Sequence, residues 1–214
     1  MSGSYISSLV HDTIAIITII NPIAAASIMI GMLADSSPQF VRPIAYKATL
    51  TLLIASFVTL FGGEFIFKLF GINTLSLKVI GGVILMMIAI NMAYGHHSKG
   101  KHTEEEHDEA QDKEDISIVP IGIPILFGPG LIATIIVLQS NTTEQFSVFV
   151  AYMIIGVSIL IASILTFFTL YYAVAIDRLL GVTGMKILTR IMGLIVGAIA
   201  SQFLISGIKG LWTG

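Results

Sequence analysis

The 214-residue chain has no cysteine, which removes disulfides and thiolate chemistry from consideration. Charge is scarce as well: 11% of residues are Asp, Glu, Lys or Arg, where a soluble domain carries roughly 25%. A net charge of -2 argues against a nucleic-acid partner. No basic residue precedes Arg42, so the small residues Ala24-Ala25-Ala26 after an apolar run lack the basic leader of a signal peptide, and an uncleaved first span is expected. The deep parts of the apolar stretches hold no Asp, Glu, Lys, Arg or His, which disfavours a cationic or dicarboxylic substrate. They also hold no Ser-His pair, paired Asp or His-rich metal set, so an intramembrane enzyme is disfavoured and neither a cofactor nor a metal site is expected.

What the chain has instead is apolar length. Hydrophobic residues make up 55% of it, and the mean hydropathy is +0.93. Six stretches reach the ~20 residues needed to cross a hydrocarbon core. They run from about Leu9 to Leu33, from Ile44 to Gly62-Gly63, from Leu75 to Tyr94, from Ile116 to Leu138, from Phe146 to Ile176, and from Ile191 to just before Trp212. The expected fold is an all-α protein in a lipid bilayer, a single transmembrane domain over residues 1–214. Asp12 or Ser8 is placed to cap the first span, and Ala34-Asp35-Ser36-Ser37-Pro38 ends it. Glu64 and Lys68, four apart at the end of the second span, read as an interfacial ion pair, with Glu64 also a candidate for ion coupling. Polar residues Gln139 to Gln145 read as a turn, and Asp177 to Arg190 as a connection.

Residues 96–115 differ in kind, with four histidines among many carboxylates and lysines and almost nothing apolar. They read as a solvated linker between a first unit, residues 1–95, and a second, residues 116–214. Such a tract binds zinc or nickel adventitiously, without the fixed spacing of a built site.

Two interruptions organise the rest: Ile20-Asn21-Pro22-Ile23 in the first span and Phe127-Gly128-Pro129-Gly130 in the fourth. Proline cannot donate to the carbonyl four residues back, so Pro22 frees that of Thr18 and Pro129 that of Ile125. At membrane depth such breaks are tolerated only where they pack in protein or line a wet cavity, and a matched pair points to a transporter's binding site. Aligning the prolines also aligns Ser27 with Thr134, and Lys78-Val79-Ile80-Gly81 lies over Arg190-Ile191-Met192-Gly193. Each half holds three spans, an odd number, so the repeat must be inverted, with spans 1 and 4 discontinuous. Basic residues divide eight against three between the two sides: Arg42, Lys47, Lys99, Lys101, Lys113, Arg178, Lys186 and Arg190 on one, Lys68, Lys78 and Lys209 on the other. This bias puts the 96–115 loop in the cytoplasm and both termini outside. Gly193 and Gly197 mark a close helix contact, within one chain or between copies in a homo-oligomer.

The sequence resembles the MarC/SnatA family of six-span membrane proteins. The likeness rests on Asn21-Pro22-Ile23, Phe70-Gly71-Ile72 leading into Lys78-Val79-Ile80-Gly81-Gly82, Pro124-Ile125-Leu126 with Gly128-Pro129-Gly130, and Arg190-Ile191-Met192-Gly193-Leu194. It departs from the commoner pattern in Lys78, where Arg is frequent, and in the alanines after Pro22. The resemblance implies a plasma (inner) membrane protein transporting small neutral amino acids such as glycine and alanine, coupled to an ion gradient, H+ or Na+.

A neutral amino acid is a zwitterion, and broken helices meet both of its charges. N–H groups of Ile23, Ala24, Ala25, Gly130 and Leu131, at the positive ends of half-helices starting at Pro22 and Pro129, are expected to hold the carboxylate. The Thr18 and Ile125 carbonyls accept from the ammonium, and Asn21 adds a side-chain amide. Gly128 and Gly130 are expected to allow close approach and positive φ. Ser27 and Thr134 either border the cavity or bond back to their own helices. For coupling the candidates are Asp12 and Glu64. Competing readings are a non-transporting membrane scaffold and an exporter of another small polar solute.

Overall fold

A computed structural model describes residues 2–33, 40–94 and 117–213. The polar turn after the first span, the 96–115 linker with its histidines, and the side chains of Glu64 and Lys68 lie outside the described residues. Seven α-helices and one π-wound segment follow one another, with no strand among the described residues: α1 Ser2–Ile20, α2 Pro22–Met32, α3 Val41–Leu69, α4 Thr74–Tyr94, the π segment Ile118–Leu126, α5 Pro129–Gln145, α6 Val148–Tyr171 and α7 Ala173–Thr213.

Five stretches of the described residues are long and apolar enough to cross a membrane: Ser4–Met32, Val41–Gly63, Thr74–Tyr94, Val148–Tyr171 and Thr183–Thr213. The expected fourth span is not among them, because neither of its two pieces is long enough by itself. α5 has 17 residues, about 25 Å at 1.5 Å per residue, and the π segment leads into it. The reason lies in the prolines. Val119 (φ -125°, ψ 123°) and Ile123 (φ -131°, ψ 126°) are both extended, and each precedes a proline, whose ring excludes the helical conformation from the residue before it. The segment closes by a five-residue bond, Phe127 N–H to the Gly122 carbonyl at 3.0 Å.

Several boundaries differ from the sequence reading. α1 begins at Ser2, six residues before Ser8, so Asp12 lies in mid-helix and caps nothing. Tyr5 fixes that added length by packing its ring against Phe146, ring centres 4.9 Å apart and tilted by 37°. Gln139 to Gln145 is helical, with Gln139 and Thr142 buried, so this polar run is the end of α5 and not a turn. The helix of the second span continues past Gly62-Gly63 to Leu69. α6 stops at Tyr171, and Asp177 to Arg190 belongs to α7, which breaks only at Gly181 (φ 61°, ψ 177°). That backbone conformation is open essentially to glycine alone.

Two antiparallel pairs hold the bundle. α3 lies on α6 with Arg42 over Tyr171 at one end, Phe57 near Gly156, and Phe61 stacked on Tyr152 at the other. α4 lies on α7 through glycines: a Cβ on Gly193 would stand 2.8 Å from Met92 Cβ, one on Gly82 3.0 Å from the Ala200 carbonyl, and one on Gly207 2.9 Å from that of Leu75. Small residues let backbones approach in lipid, where dispersion contacts replace the hydrophobic drive between helices. Gly193 and Gly197 therefore serve a contact within the chain. Outward faces carry Phe65, Leu69, Leu194 and Ile205, with Trp212 exposed near the end of α7, as lipid and its interface require.

Candidate functional site

The first break is made by Asn21 rather than by the proline after it. Asn21 adopts the left-handed conformation (φ 48°, ψ 64°) and caps α2, its Oδ1 accepting from the Ala24 N–H at 3.4 Å. Its own N–H still donates to the Ile17 carbonyl at 3.0 Å, and its carbonyl accepts from Ala25 at 3.2 Å. Pro22 sits at the first helical position, where a missing N–H is no loss. The amide nitrogen of Asn21 faces Met92 Sδ of α4 at 3.9 Å, and the residue is buried.

The second break repeats the logic with a different residue. Gly128 is extended (φ -111°, ψ 175°), Pro129 takes the first helical position, and the Gly128 carbonyl accepts from Leu131 at 3.0 Å and Ile132 at 3.2 Å. Neither Gly128 nor Gly130 has the positive φ anticipated from the sequence; among the described glycines that conformation occurs at Gly71 and Gly181. Gly130 sits in a tight contact with α4. A Cβ there would stand 3.0 Å from both Leu85 Cδ2 and Ile88 Cδ1 of α4, and 4.0 Å from Ile19 Cγ2. The two breaks thus meet: Gly130 approaches the last turn of α1, and the Leu85–Met92 face of α4 covers both. Ile20, Ala25, Ala26, Phe127 and Leu131 close the region as one buried cluster.

This geometry narrows the expected donors. Ala24, Ala25 and Leu131 spend their N–H groups on the caps of their own helices, whereas those of Ile23 and Gly130 meet no acceptor among the described residues. The carbonyls of Thr18 and Ile125 likewise receive no donor among them. Thr134 is fully buried and donates to the Gly130 carbonyl at 2.8 Å, the back-bonded alternative, while Ser27 is half-buried on α2.

Asp12 is 3% exposed, and its two oxygens are used separately: Oδ1 lies 2.9 Å from His11 Nδ1, and Oδ2 accepts from the Thr142 hydroxyl at 3.2 Å. The carboxylate ties α1 to α5, roughly 13 Å along the helix from Asn21. His11 and Thr142 escaped the sequence reading. His11 was overshadowed by the histidine tract, and Thr142 was assigned to a turn; the adjacent His11-Asp12 pair was the available signal. Lys78, expected near an interface, is 6% exposed beside Gly207, with no carboxylate partner among the described residues.

Comparison with known proteins finds relatives over nearly the whole length of the chain. Residues 6–212 match the model of the MarC family of integral membrane proteins. The chain is 36% identical to the UPF0056 membrane protein YvbG of Bacillus subtilis over 96% of each chain. It is 32% identical to a UPF0056 membrane protein of Aquifex aeolicus over 92% of this chain and 91% of the relative. With the UPF0056 membrane protein YhcE of Escherichia coli it shares 29% identity over 94% and 92% of the two chains. No solved structure matches. Broken spans, buried caps and a family match spanning both halves lead to one conclusion: this chain belongs to the MarC family of integral membrane proteins.

Proposed function

We propose that this protein is a secondary transporter of small neutral amino acids, of the glycine and alanine class, working by alternating access across the plasma membrane. The observation that carries the proposal is the meeting of two half-helix N-termini, α2 and α5, under one face of α4, with the Ile23 and Gly130 N–H groups and the Thr18 and Ile125 carbonyls left without partners among the described residues. An amino acid's carboxylate is complementary to the first pair and its ammonium to the second, and no side-chain charge is needed. Ala24, Ala25 and Leu131 then wall the site, Pro22 and Pro129 start its two half-helices, and Asn21 and Gly128 hold the breaks open.

In this reading the π segment and α5 together form the fourth of six crossings, as α1 and α2 form the first, and the two halves are inverted repeats. The packing supports it by exchange: α1 lies on α6 as the π segment and α5 lie on α3, α2 lies on α7 as α5 lies on α4, and the pairs α3 with α6 and α4 with α7 join the halves. Arg42, Arg178 and Arg190 gather toward one side, Lys78 and Lys209 toward the other, in keeping with termini outside and the 96–115 loop in the cytoplasm. Asp12, held by His11 and Thr142, is the coupling group if protons drive the cycle, with Glu64 second; sodium is the other candidate ion.

The test is uptake of labelled glycine by proteoliposomes containing the purified protein. Saturable uptake absent from protein-free vesicles is expected. Gly130→Ala meets only the movable tips of Leu85 and Ile88, so it should fold and raise the KM for glycine several-fold. A folded protein that moves no neutral amino acid under an imposed proton or sodium gradient would overturn the proposal in favour of a membrane scaffold.

A further inference from the structure

Two cavities lie away from the breaks, end to end on the same helix pair. The first, about 550 Å³, opens where α3 begins and α6 passes into α7; Arg42, Tyr171, Tyr172 and Arg178 line it. Arg42 holds its guanidinium 4.8 Å over the Tyr171 ring, and neither arginine has a carboxylate partner among the described residues. The second, about 250 Å³, runs between α3 and α6; Leu50, Leu53, Leu160 and Ile164 wall it with Tyr46 and Phe167, and Thr49 and Ser163 are its other lining residues. The two adjoin, since Tyr46 is one turn beyond Arg42 and Phe167 packs on Tyr171 with ring centres 5.5 Å apart.

We infer that these cavities form one site for an anionic phospholipid, its phosphate between Arg42 and Arg178 and an acyl chain along the α3–α6 groove. The division of chemistry selects that occupant. Two guanidiniums with no carboxylate partner among the described residues suit a phosphate, which they bind by forked, charge-assisted hydrogen bonds. The ring of Tyr171 pre-positions one of them by cation–π contact. The groove below offers hydrocarbon to hydrocarbon, so a soluble anion would use only the upper cavity and a neutral lipid only the lower. A molecule carrying both parts joins them. The site lies at the end richer in arginine, where the inner leaflet's anionic lipids concentrate if that end is cytoplasmic. It is independent of the break region and of what the protein transports.

The test is the melting temperature of the full chain in detergent, because a ligand bound only by the folded form raises it. The additives are phosphatidylglycerol with long acyl chains, phosphatidylcholine with the same chains, phosphatidylglycerol with six-carbon chains, and inorganic phosphate. Stabilisation by long-chain phosphatidylglycerol at concentrations at least tenfold below the other three is expected. Arg42→Gln with Arg178→Gln should weaken that response at least tenfold, and Leu160→Trp, which fills the groove, should weaken it several-fold. Equal stabilisation by phosphatidylcholine, or the full effect from inorganic phosphate, would overturn the site, as would a double variant that melts cooperatively and keeps the wild-type response. Should the variants fail to fold, the four additives on the wild-type protein decide the matter alone.

Discussion

Left-handed backbone at Asn21 turns one apolar stretch into two helices, and the same side chain then caps the second of them. Asparagine tolerates this conformation better than any other residue with a Cβ except aspartate, because its short amide bonds locally. Asn21→Ala should therefore destabilise the protein by about 2–3 kcal/mol, about half from the conformation and half from the cap, whereas Asn21→Gly should cost only a few tenths. Thermal unfolding of the two variants in detergent separates the contributions. The threonines offer a second comparison. Thr51, Thr59, Thr134, Thr166 and Thr189 each donate to the carbonyl four residues back, but the hydroxyls of Thr49 and Ser163 are buried without a partner among the described residues. Removing an unpaired hydroxyl relieves its desolvation, so Thr49→Val and Ser163→Ala should leave the unfolding free energy unchanged or raise it, by up to about 1 kcal/mol each. A clear loss of stability in either would mean that these hydroxyls have a partner in the membrane.

Among the elements, α4 and α7 form the tightest pair, and two of its glycines differ in what they need. A Cβ on Gly193 would press on main-chain atoms, 2.9 Å from the Ala93 nitrogen and 3.0 Å from the Ala89 carbonyl, while one on Gly197 would stand 3.5 Å from Ala89 Cβ in ordinary contact. Gly193→Leu should separate the helices and cost about 3 kcal/mol or more. Gly197→Ala should be neutral or stabilise by about 0.5–1 kcal/mol through the reduced freedom of the unfolded chain. Reversible unfolding in detergent or bicelles reads both. Sequence periodicity is blind to this difference, since both glycines sit in an apolar run at a spacing that marks a contact without saying what lies opposite. The same limit explains the helix ends. Ser2 to Ser8 and Gln139 to Gln145 look like surface punctuation, yet Tyr5 packing on Phe146 and the burial of Gln139 and Thr142 make them helix. The breaks were legible because Asn21-Pro22 and Gly128-Pro129 act through local backbone rules. The role of Gly130 was not, because Leu85 and Ile88 reach it from forty residues away.

At the scale of the whole molecule, the absence of native cysteine makes topology directly measurable. In the proposed orientation, Thr213→Cys should react with a membrane-impermeant maleimide in intact cells, and Ala110→Cys only after the membrane is opened; the reverse pattern would invert that proposal. Apolar length, scarce charge and two proline-bearing breaks were enough to establish a helical membrane protein and where its spans are interrupted, because these follow from bilayer thickness and from the local backbone preferences of Asn-Pro and Gly-Pro. Tertiary structure alone decided which surfaces meet: that the two breaks share one cover in α4, that Asp12 is buried between His11 and Thr142, and that Gly193 packs inside the chain. Such contacts join residues far apart in sequence, and the same apolar pattern is compatible with many ways of arranging the helices. The choice among them rests on side-chain shape at each crossing, which no local rule encodes.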